Sequence, residues 1–368
     1  MKNFDRRIKR LSEQLQSNGL DYLCLIPGAN FTYYTGIDKD LSERPFVALF
    51  PATGSPAFII PKLEHETTQK LLPYKAGFFT YTDEEGHEAA FQQAAHALGL
   101  SKKRIGVEYR SMRMLELRQI ERQAPDCLIT EADPLLSETR MNKDDEELAK
   151  MREAIRISEA ALAATIKQVE PGQTELEIQN ILHIELLRAG AHGLGFPLIV
   201  LSGPRAALPH GTAADRAVKT GDCLLFDYGG KYGPYTADIT RTFVVGTAGP
   251  DWKDIYHVVK EANAAAREIA GPGVETGEVD RAARQVIERA DYGDNFTHRT
   301  GHGLGLDVHE PPYIVAGGKT RLQPGMTFTI EPGIYITGEI GVRIEDDVLI
   351  TENGCDSLTS FPRDLTTI

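Results

Sequence analysis

The feature that most constrains the fold of this chain is a pattern of glycines and acids that occurs twice, about a hundred residues apart. Residues 221–229 (GDCLLFDYG) and 325–333 (GMTFTIEPG) both have a glycine, five residues, a carboxylate, one residue and a second glycine. A second acid follows each copy in a strand-like segment, Asp238 after the first and Glu345 after the second. Two equivalent halves, each with a pair of acids, could therefore meet across a pseudo-two-fold axis.

The two copies contribute four acids: Asp227, Asp238, Glu331 and Glu345. Each is close to an apolar run that predicts a strand, and alternate residues of a strand face the same side. A single acid beside a glycine is explained about equally well by a turn, but this explanation is much weaker for all four together. Four ionised carboxylates in one low-dielectric site repel one another, and two divalent cations would neutralise them. The pattern therefore predicts a metal site.

Four of the ten histidines lie in two short motifs, LPHG and HRTGHGLGLDVHEPP: His210, His298, His302 and His309. Their imidazoles offer a metal ligand or acid–base groups, and the other six are interpreted as structural or surface residues. The interleaved Gly301, Gly303 and Gly305 predict tight or left-handed backbone and close approach of a substrate. No Walker lysine follows, and no G-x-G-x-x-G precedes a helix in a βαβ unit, so a phosphate loop is not indicated.

The first part of the chain has the pattern of a mixed α/β domain. Apolar residues at helical spacing within 4–15, followed by Gly19, predict a first helix with a glycine stop. Residues 21–27 predict a strand. The apolar runs 46–50 and 57–60 flank ATGSP and predict a hairpin.

A polar segment, Ser137–Glu147 (SETRMNKDDEE), separates this part from a new helical pattern. We therefore predict two domains and a linker: 1–136, 137–147 and 148–368. In the second domain, Thr174 and Glu177 predict a capping box after Pro-Gly, and Thr276 after a second Pro-Gly repeats the arrangement.

Composition excludes several classes of protein. The chain has 368 residues, 41% of them hydrophobic and 25% charged, which is typical of globular proteins. Its net charge of −13 disfavours nucleic acid as a partner. The N-terminus is charged, and no run of about 18 apolar residues predicts a membrane span. The four scattered cysteines predict neither a disulfide framework nor a thiolate zinc site, so we expect a cytoplasmic protein.

Motifs along most of the chain carry a family resemblance. NFTYYTG and SERPF lie in the first part, and LPHG, FDYGG, ADITRTF, HRTGHGLGLDVHE, TIEPGIY and GVRIEDD follow in this order in the second. Together they resemble the pita-bread metallopeptidases, specifically the proline-directed branch that contains prolidase (Xaa-Pro dipeptidase) and aminopeptidase P. The resemblance implies an α+β fold, with a creatinase-like α/β N-terminal domain followed by a pita-bread catalytic domain that has a pseudo-two-fold repeat.

The resemblance also implies roles for particular residues. It assigns two divalent cations to five ligands: Asp227, Asp238, His302, Glu331 and Glu345. Asp227 would bind one cation, Asp238 and Glu345 would bridge both, and His302 with Glu331 would complete the other site. Around the substrate and near the metals it assigns the remaining residues: His210, His298, His309, Tyr335 and Arg343. Mn(II) is the expected metal, and Co(II) or Zn(II) also suits one nitrogen among oxygen donors.

The implied reaction is hydrolysis of an Xaa-Pro bond by a metal-bridging hydroxide, with Glu331 as general base and His309 helping to stabilise the oxyanion. The substrate would be a short peptide with proline at the second position, and the enzyme a homodimer. Chain length favours a dipeptidase, although the segment after His309 has no arginine where some prolidases bind the proline carboxylate. Aminopeptidase P and a non-catalytic peptide-binding module remain alternatives. Methionine aminopeptidase usually lacks the extra domain, and creatinase lacks the five ligands.

Overall fold

The periodic apolar residues near the N-terminus form helix α1 (Lys2–Ser17), on which Leu11 and Leu15 are buried. Gly19 follows with a φ of 63°, a left-handed conformation that glycine adopts at low cost. The predicted first helix and its glycine stop are confirmed. The structure is a computed structural model, and it describes residues 2–247 and 249–368.

By its internal contacts the chain divides into two units, Met1–Thr139 and Arg140–Ile368. In the described part of the first unit, six strands form one sheet: β1 (Tyr22–Leu25), β2 (Val47–Pro51), β3 (Ala57–Pro61), β4 (Gly77–Tyr81), β5 (Arg104–Val107) and β6 (Leu128–Glu131). Their order is β4-β3-β2-β1-β5-β6. β2 pairs antiparallel with both β1 and β3, which confirms the predicted strand and hairpin, and the other pairs are parallel.

Helices lie between these strands or, for α6, follow the last of them: α2 (Ala29–Thr35), α3 (Lys62–Leu71), α4 (Glu88–Leu98), α5 (Met114–Gln123) and α6 (Asp133–Met141). The predicted linker 137–147 overlaps the end of α6 and the start of α7 (Asp145–Thr165). Asp144 caps α7, and Glu147 completes the capping box. The polar residues of this segment therefore include the start signal of a helix.

Four long helices of the second unit pack in two pairs, α7 with α8 (Glu175–Ala189) and α9 (Pro250–Ile269) with α10 (Thr276–Arg289). Thr174 and Glu177 form the predicted capping box of α8. The second copy differs by one residue: Glu275 caps α10 with Glu278, and Thr276 is already helical. The prediction of Thr276 as the capping position is therefore wrong, because a glutamate performs the role of the threonine.

Short strands and 3-10 turns complete the second unit: β7 (Gly193–Leu194), β8 (Ile199–Ser202), β9 (Cys223–Tyr228), β10 (Gly230–Tyr232), β11 (Tyr235–Thr236), β12 (Ile239–Val244), β13 (Gly301–Gly303), β14 (Glu310–Ile314), β15 (Thr327–Ile330), β16 (Gly333–Ile336), β17 (Ile340–Arg343), β18 (Asp346–Thr351), β19 (Gly354–Ser357), and turns at Ile166–Gln168, Gly203–Ala207 and Gly293–Asn295. The sheets are ordered β12-β9-β8, β14-β13-β15-β18-β19, β11-β10-β7 and β16-β17.

The two glycine and acid repeats form corresponding strands, β9 and β15. Each is paired antiparallel with a later strand, β12 for the first and β18 for the second. One apolar core contains Ile155 of α7, Leu182 of α8 and Phe226 of β9. Another contains Val279 of α10 and Phe328 of β15. The second unit is therefore built from two similar halves, each with a helix pair against a strand pair.

No helix among the described residues is both long enough and apolar enough to span a membrane.

Candidate metal centre

Strand register brings the acids of each half together. Tyr228 is opposite Ile239 in the β9–β12 pair, so Asp227 on β9 and Asp238 just before β12 lie at the same end of the two strands. In the other half, Ile330 of β15 is opposite Asp346 of β18. Glu331 and Glu345, the next residues outward, therefore also lie at one end.

Three of the five predicted ligands are within reach of a single ion. The ligand atoms of Asp238, His302 and Glu345 all lie within 4.8 Å of one another, and the three residues are buried. Glu331 adjoins them, with its Oε1 3.2 Å from Nε2 of His302. Asp227 lines the same cavity. The structure thus brings all five residues, chosen from the sequence, into one place.

The ring of His302 is oriented for ligation. Its Nδ1 lies 3.2 Å from the Gly303 carbonyl oxygen, which only accepts, so Nδ1 carries the proton and donates. Nε2 is then the ring nitrogen that faces Glu331 and, at 3.7 Å, Oδ2 of Asp238. A ring nitrogen oriented toward carboxylates in this way could ligate a cation that binds between them.

Arg343 links the acids of the centre to the residues around them by hydrogen bonds. Its Nη2 donates to Oδ2 of Asp227 at 2.5 Å, its Nη1 to the Tyr335 hydroxyl at 2.7 Å, and its Nε to Oγ1 of Thr240 at 3.0 Å. Thr240 in turn donates to Oε2 of Glu345 at 2.5 Å. One buried guanidinium thus orients acids from both halves and leaves Oδ1 of Asp227 for another ligand.

His298 is held at both of its ring nitrogens. Its Nδ1 donates to the Arg299 carbonyl oxygen at 2.7 Å, and its Nε2 accepts from the Tyr335 hydroxyl at 2.8 Å. Burial lowers the pKa of His298 and raises that of Tyr335 to about 12, so both are neutral near pH 7. Tyr335 therefore contacts two cavity-lining residues, His298 and Arg343.

The acids of the centre differ in charge state when no cation is bound. Burial, followed by repulsion from Glu345 and Asp227, raises the pKa of Asp238 well above its usual range. Burial and the neighbouring acids Glu331 and Asp227 do the same for the pKa of Glu345. Burial opposes ionisation of Glu331 too, but the hydrogen bond and charge of His302 outweigh it and lower the pKa to about 2. A cluster of this kind stores repulsion that a cation would relieve.

This repulsion predicts an effect of pH on stability. A carboxyl group whose pKa is raised by folding stabilises the folded state at low pH, and this contribution is lost as the pH rises through the raised pKa. We therefore expect the melting temperature of metal-free protein to fall as the pH rises above the ordinary carboxyl range. The melting temperature of protein loaded with Mn(II) should fall less over the same pH range, and calorimetry on both forms in parallel measures the difference. Equal pH dependence of the two forms would contradict this expectation.

A cavity of about 490 Å³ opens onto the five residues. The residues that line it include four apolar side chains and the predicted histidines: Phe196, Ile199, Pro209, Val308, His210, His298, His302 and His309. His210 and His309 are exposed, and the ring centroids of His309 and His302 are 4.2 Å apart. Partial burial, His302 and Arg299 lower the pKa of His309 to about 4, so its ring is neutral at pH 7.

The loop that carries His210 is closed by a single buried acid, Glu175 of α8. Its carboxylate accepts from the backbone N–H and the hydroxyl of Ser202, both at 2.8 Å, and from the Ala214 N–H at 3.1 Å. Arg205 donates to the same carboxylate at 2.9 Å. Both ends of the loop are thus attached to one side chain, which limits where His210 can lie.

Three residues of the site were missed by sequence reasoning. Thr240 and Thr329 each lie two residues from a predicted ligand and hydrogen-bond to acids of the centre, Thr329 donating to Glu331 at 3.2 Å. Their period-two spacing from Asp238 and Glu331 was a usable signal. Arg299 also lines the cavity, and its position beside His298 was the corresponding clue.

The glycines of the histidine motif do not have the left-handed backbone conformation that was predicted for them. Gly301, Gly303 and Gly305 are not among the residues with positive φ in the described chain. A Cβ at Gly301 would lie 1.8 Å from the Thr329 carbonyl oxygen, and one at Gly303 would lie 2.3 Å from that of Pro311. These glycines therefore permit close approach of the protein's own backbone beside His302, and the left-handed interpretation is wrong.

The residues present fit divalent cations. The donor set is four carboxylates and one imidazole, which suits Mn(II), Co(II) or Zn(II) and leaves the choice among them open. The acids are largely buried, and within the described part of the chain the guanidinium of Arg343 hydrogen-bonds to one acid of the cluster, Asp227. The cluster therefore lacks enough positive charge of its own.

Comparison with known proteins agrees with this donor set. Residues 149–352 match the model of metallopeptidase family M24, and residues 7–142 match the creatinase/prolidase N-terminal domain. A prolidase from Thermococcus sibiricus is similar over 99% of both chains, with 34% identity and a TM-score of 0.95. The dipeptidase PepE from Mycobacterium ulcerans is similar over 100% of this chain and 98% of the PepE chain, with 34% identity and a TM-score of 0.92. An X-Pro aminopeptidase from Thermotoga maritima is similar over 98% of this chain and 99% of the aminopeptidase chain, with 31% identity and a TM-score of 0.88.

The chain belongs to metallopeptidase family M24. It has a creatinase-like N-terminal domain followed by an M24 catalytic domain with the pita-bread fold, which confirms the predicted fold class. The protein is a metallopeptidase, and its family implies divalent metal ions and a peptide substrate.

Proposed function

We propose that this chain is a dinuclear Xaa-Pro dipeptidase. The observation that carries the proposal is a cluster of four carboxylates and one imidazole in a cavity that is also lined by Arg299, for which the described residues include no carboxylate within salt-bridge distance. The similarity to a prolidase and to a dipeptidase supports the same substrate class.

Five residues would hold the two cations: Asp227, Asp238, His302, Glu331 and Glu345. Asp238 and Glu345 come from opposite halves and have ligand atoms within 4.8 Å of each other, which supports their assignment as the bridging ligands. Bound divalent cations would lower the pKa of a water molecule and polarise the scissile carbonyl group. Mn(II) is the metal we propose, since the oxygen-rich donor set suits it.

The chain's own residues would then handle protons and charge. Glu331 is ionised at neutral pH, so its carboxylate can accept a proton from the attacking water. His309 is neutral, so its ring N–H can donate to the oxyanion that develops on the carbonyl oxygen. Tyr335 and Arg343 keep Asp227 and His298 in place through the hydrogen bonds described above. His210 and His298 would form the wall around proline.

Arg299 supports the choice of a dipeptide substrate. Its guanidinium lies over the Tyr313 ring, 4.8 Å from the centroid, and lines the cavity. Among the described residues it has no carboxylate within salt-bridge distance, whereas the other arginine of the cavity, Arg343, is bonded to Asp227 and Tyr335. A cation stacked on an aromatic ring keeps its N–H edge available for a carboxylate. The free carboxylate of a terminal proline matches that requirement.

We expect wild-type protein to prefer Ala-Pro over Ala-Pro-Ala by at least about tenfold in kcat/KM, because loss of a charge-assisted hydrogen bond costs about 1.5 to 3 kcal/mol. Arg299→Gln should lower kcat/KM for Ala-Pro by about ten- to a hundredfold and leave Ala-Pro-Ala nearly unchanged. Steady-state kinetics with Mn(II)-loaded enzyme measure both effects.

Arg321→Gln is the matched control, since it removes the same charge from an exposed side chain that pairs with Glu275 outside the cavity. Its kinetics should equal those of wild type. Equal or faster cleavage of Ala-Pro-Ala by wild type would assign the chain to aminopeptidase P instead. Cleavage of Ala-Ala or Met-Ala alone would contradict proline specificity.

We also propose that the enzyme is a cytoplasmic homodimer. Its four cysteines are free thiols, which is compatible with a reducing compartment. The dimer is an expectation from the family resemblance. Light scattering on the purified protein should give twice the chain mass of 40.6 kDa.

A further inference from the structure

A buried ion cluster lies directly beside His309. The carboxylate of Glu310 accepts from Lys143 Nζ at 2.6 Å through Oε1 and from Arg140 through Oε2. The side chains of Lys143, Glu310 and Arg140 are 2%, 6% and 8% exposed, so all three charges are largely removed from water. Arg140 also donates to Asp307 at 2.9 Å. Asp307 and Glu310, the acids that these cations contact here, both lie in the segment that carries His309.

Glu310 is the partner that these cations share. Burial alone would raise its pKa, but the charges of Arg140 and Lys143 outweigh burial and lower it. Removal of one member of a buried ion cluster leaves an uncompensated charge, which is strongly destabilising. The carboxylate of Glu310 is therefore held firmly in one place.

The segment between β13 and β14 is packed around this cluster. A Cβ at Gly305 would lie 2.9 Å from Cε of Lys143, so the backbone passes directly over the lysine. The Gly305 N–H donates to the Asp307 carbonyl oxygen, and the Gly305 carbonyl oxygen accepts from the Thr236 N–H, both at 3.0 Å. These contacts fix the segment at its start, and Glu310 fixes it at its end.

We propose that Glu310 is a positioning residue, which together with Arg140 and Lys143 holds the adjacent His309 against His302 at the cavity. His309 is itself exposed, and its ring contact in the described chain is with His302. Its position therefore depends on its backbone, which Glu310 anchors. The inference rests on the proposed function in one respect, that His309 assists turnover.

The first test is a crystal structure of Glu310→Gln, which keeps the shape of the side chain and removes its charge. We expect residues 304–310 to be displaced and the contact between His309 and His302 to be lost, while metal content by elemental analysis stays at the wild-type value. A His309 ring at the wild-type distance from His302 would overturn the proposal. This measurement does not depend on the substrate that the enzyme cleaves.

The second test is a double-mutant cycle with His309→Ala, assayed on Ala-Pro. Glu310→Gln alone should lower kcat by at least about tenfold with little change in KM, and it should change kcat less than about twofold when His309 is already alanine. A purely structural role would give the same fold-loss in both backgrounds and would overturn the proposal. If Glu310→Gln does not fold, Lys143→Gln replaces it in both tests, because it removes one cation and keeps the Arg140 pair.

Asp222→Asn is the matched control. It removes a largely buried carboxylate from the ion pair with Arg216, at the start of β9 and away from the cavity. It should lower the melting temperature and leave kcat unchanged. Failure of wild type to cleave any Xaa-Pro peptide would contradict the proposed function, whereas the crystal structure of the variant would still decide the positioning role.

Discussion

Dialysis against a chelator is expected to abolish hydrolysis of Ala-Pro by this chain, and Mn(II) or Co(II) should restore it. The reason lies in Asp238, Glu345 and His302, whose ligand atoms lie within 4.8 Å of one another and could hold a metal ion. Metals bind only the folded site, so their removal should also lower stability. At a free concentration one hundred times Kd the loss is about 2.7 kcal/mol, or about 5 to 11 °C for a unit of this size.

Elemental analysis must accompany this experiment, because tightly bound ions survive brief dialysis. The decisive sample is protein with less than about one-twentieth of an equivalent of metal. Full activity in that sample would refute a metal-dependent mechanism. An unchanged melting temperature would instead contradict the assignment of the buried acids as ligands, since relief of their repulsion is the source of the expected stabilisation.

The centre was predictable because the chain repeats its pattern. Glycine, apolar strand and acid occur in the same order twice, and the period-two geometry of strands brings Asp227 to Asp238 and Glu331 to Glu345. The histidine motif offered three histidines, and the family resemblance selected His302 among them. These signals are local, so each can be recognised from neighbouring residues alone.

The residues that were missed depend on contacts between distant parts of the chain. Glu310 meets Arg140 and Lys143 from about 170 positions earlier, and sequence spacing gives no hint of that pairing. The lack of a carboxylate partner for Arg299 among the described residues could not be recognised until the partners of the nearby acids were known. The N-cap of α10 is Glu275 and not the predicted Thr276, because a glutamate can replace threonine as acceptor. A capping motif defined by residue type does not predict this replacement.

The variant Asp238→Asn is expected to bind at least one equivalent of metal less than wild type and to have a kcat/KM lower by on the order of a thousandfold. This loss corresponds to about 4 kcal/mol of transition-state stabilisation. The substitution keeps the side-chain shape but removes one negative charge from a position that faces both His302 and Glu345. An amide is also a weaker ligand than a carboxylate. Metal content by elemental analysis and kinetics on Ala-Pro measure the two losses separately.

His309→Ala provides the contrast within the same cavity. His309 lines the wall, is neutral at pH 7 and contacts His302 by ring packing, so its removal should leave both metals bound. Loss of an oxyanion donor lowers kcat by about a hundred- to a thousandfold. Asp222→Asn controls for the change of a carboxylate to an amide, since Asp222 lies just before β9, and its kcat should equal that of wild type. If His309→Ala loses a full equivalent of metal while Asp238→Asn keeps both, the assignments of ligand and substrate contact are reversed.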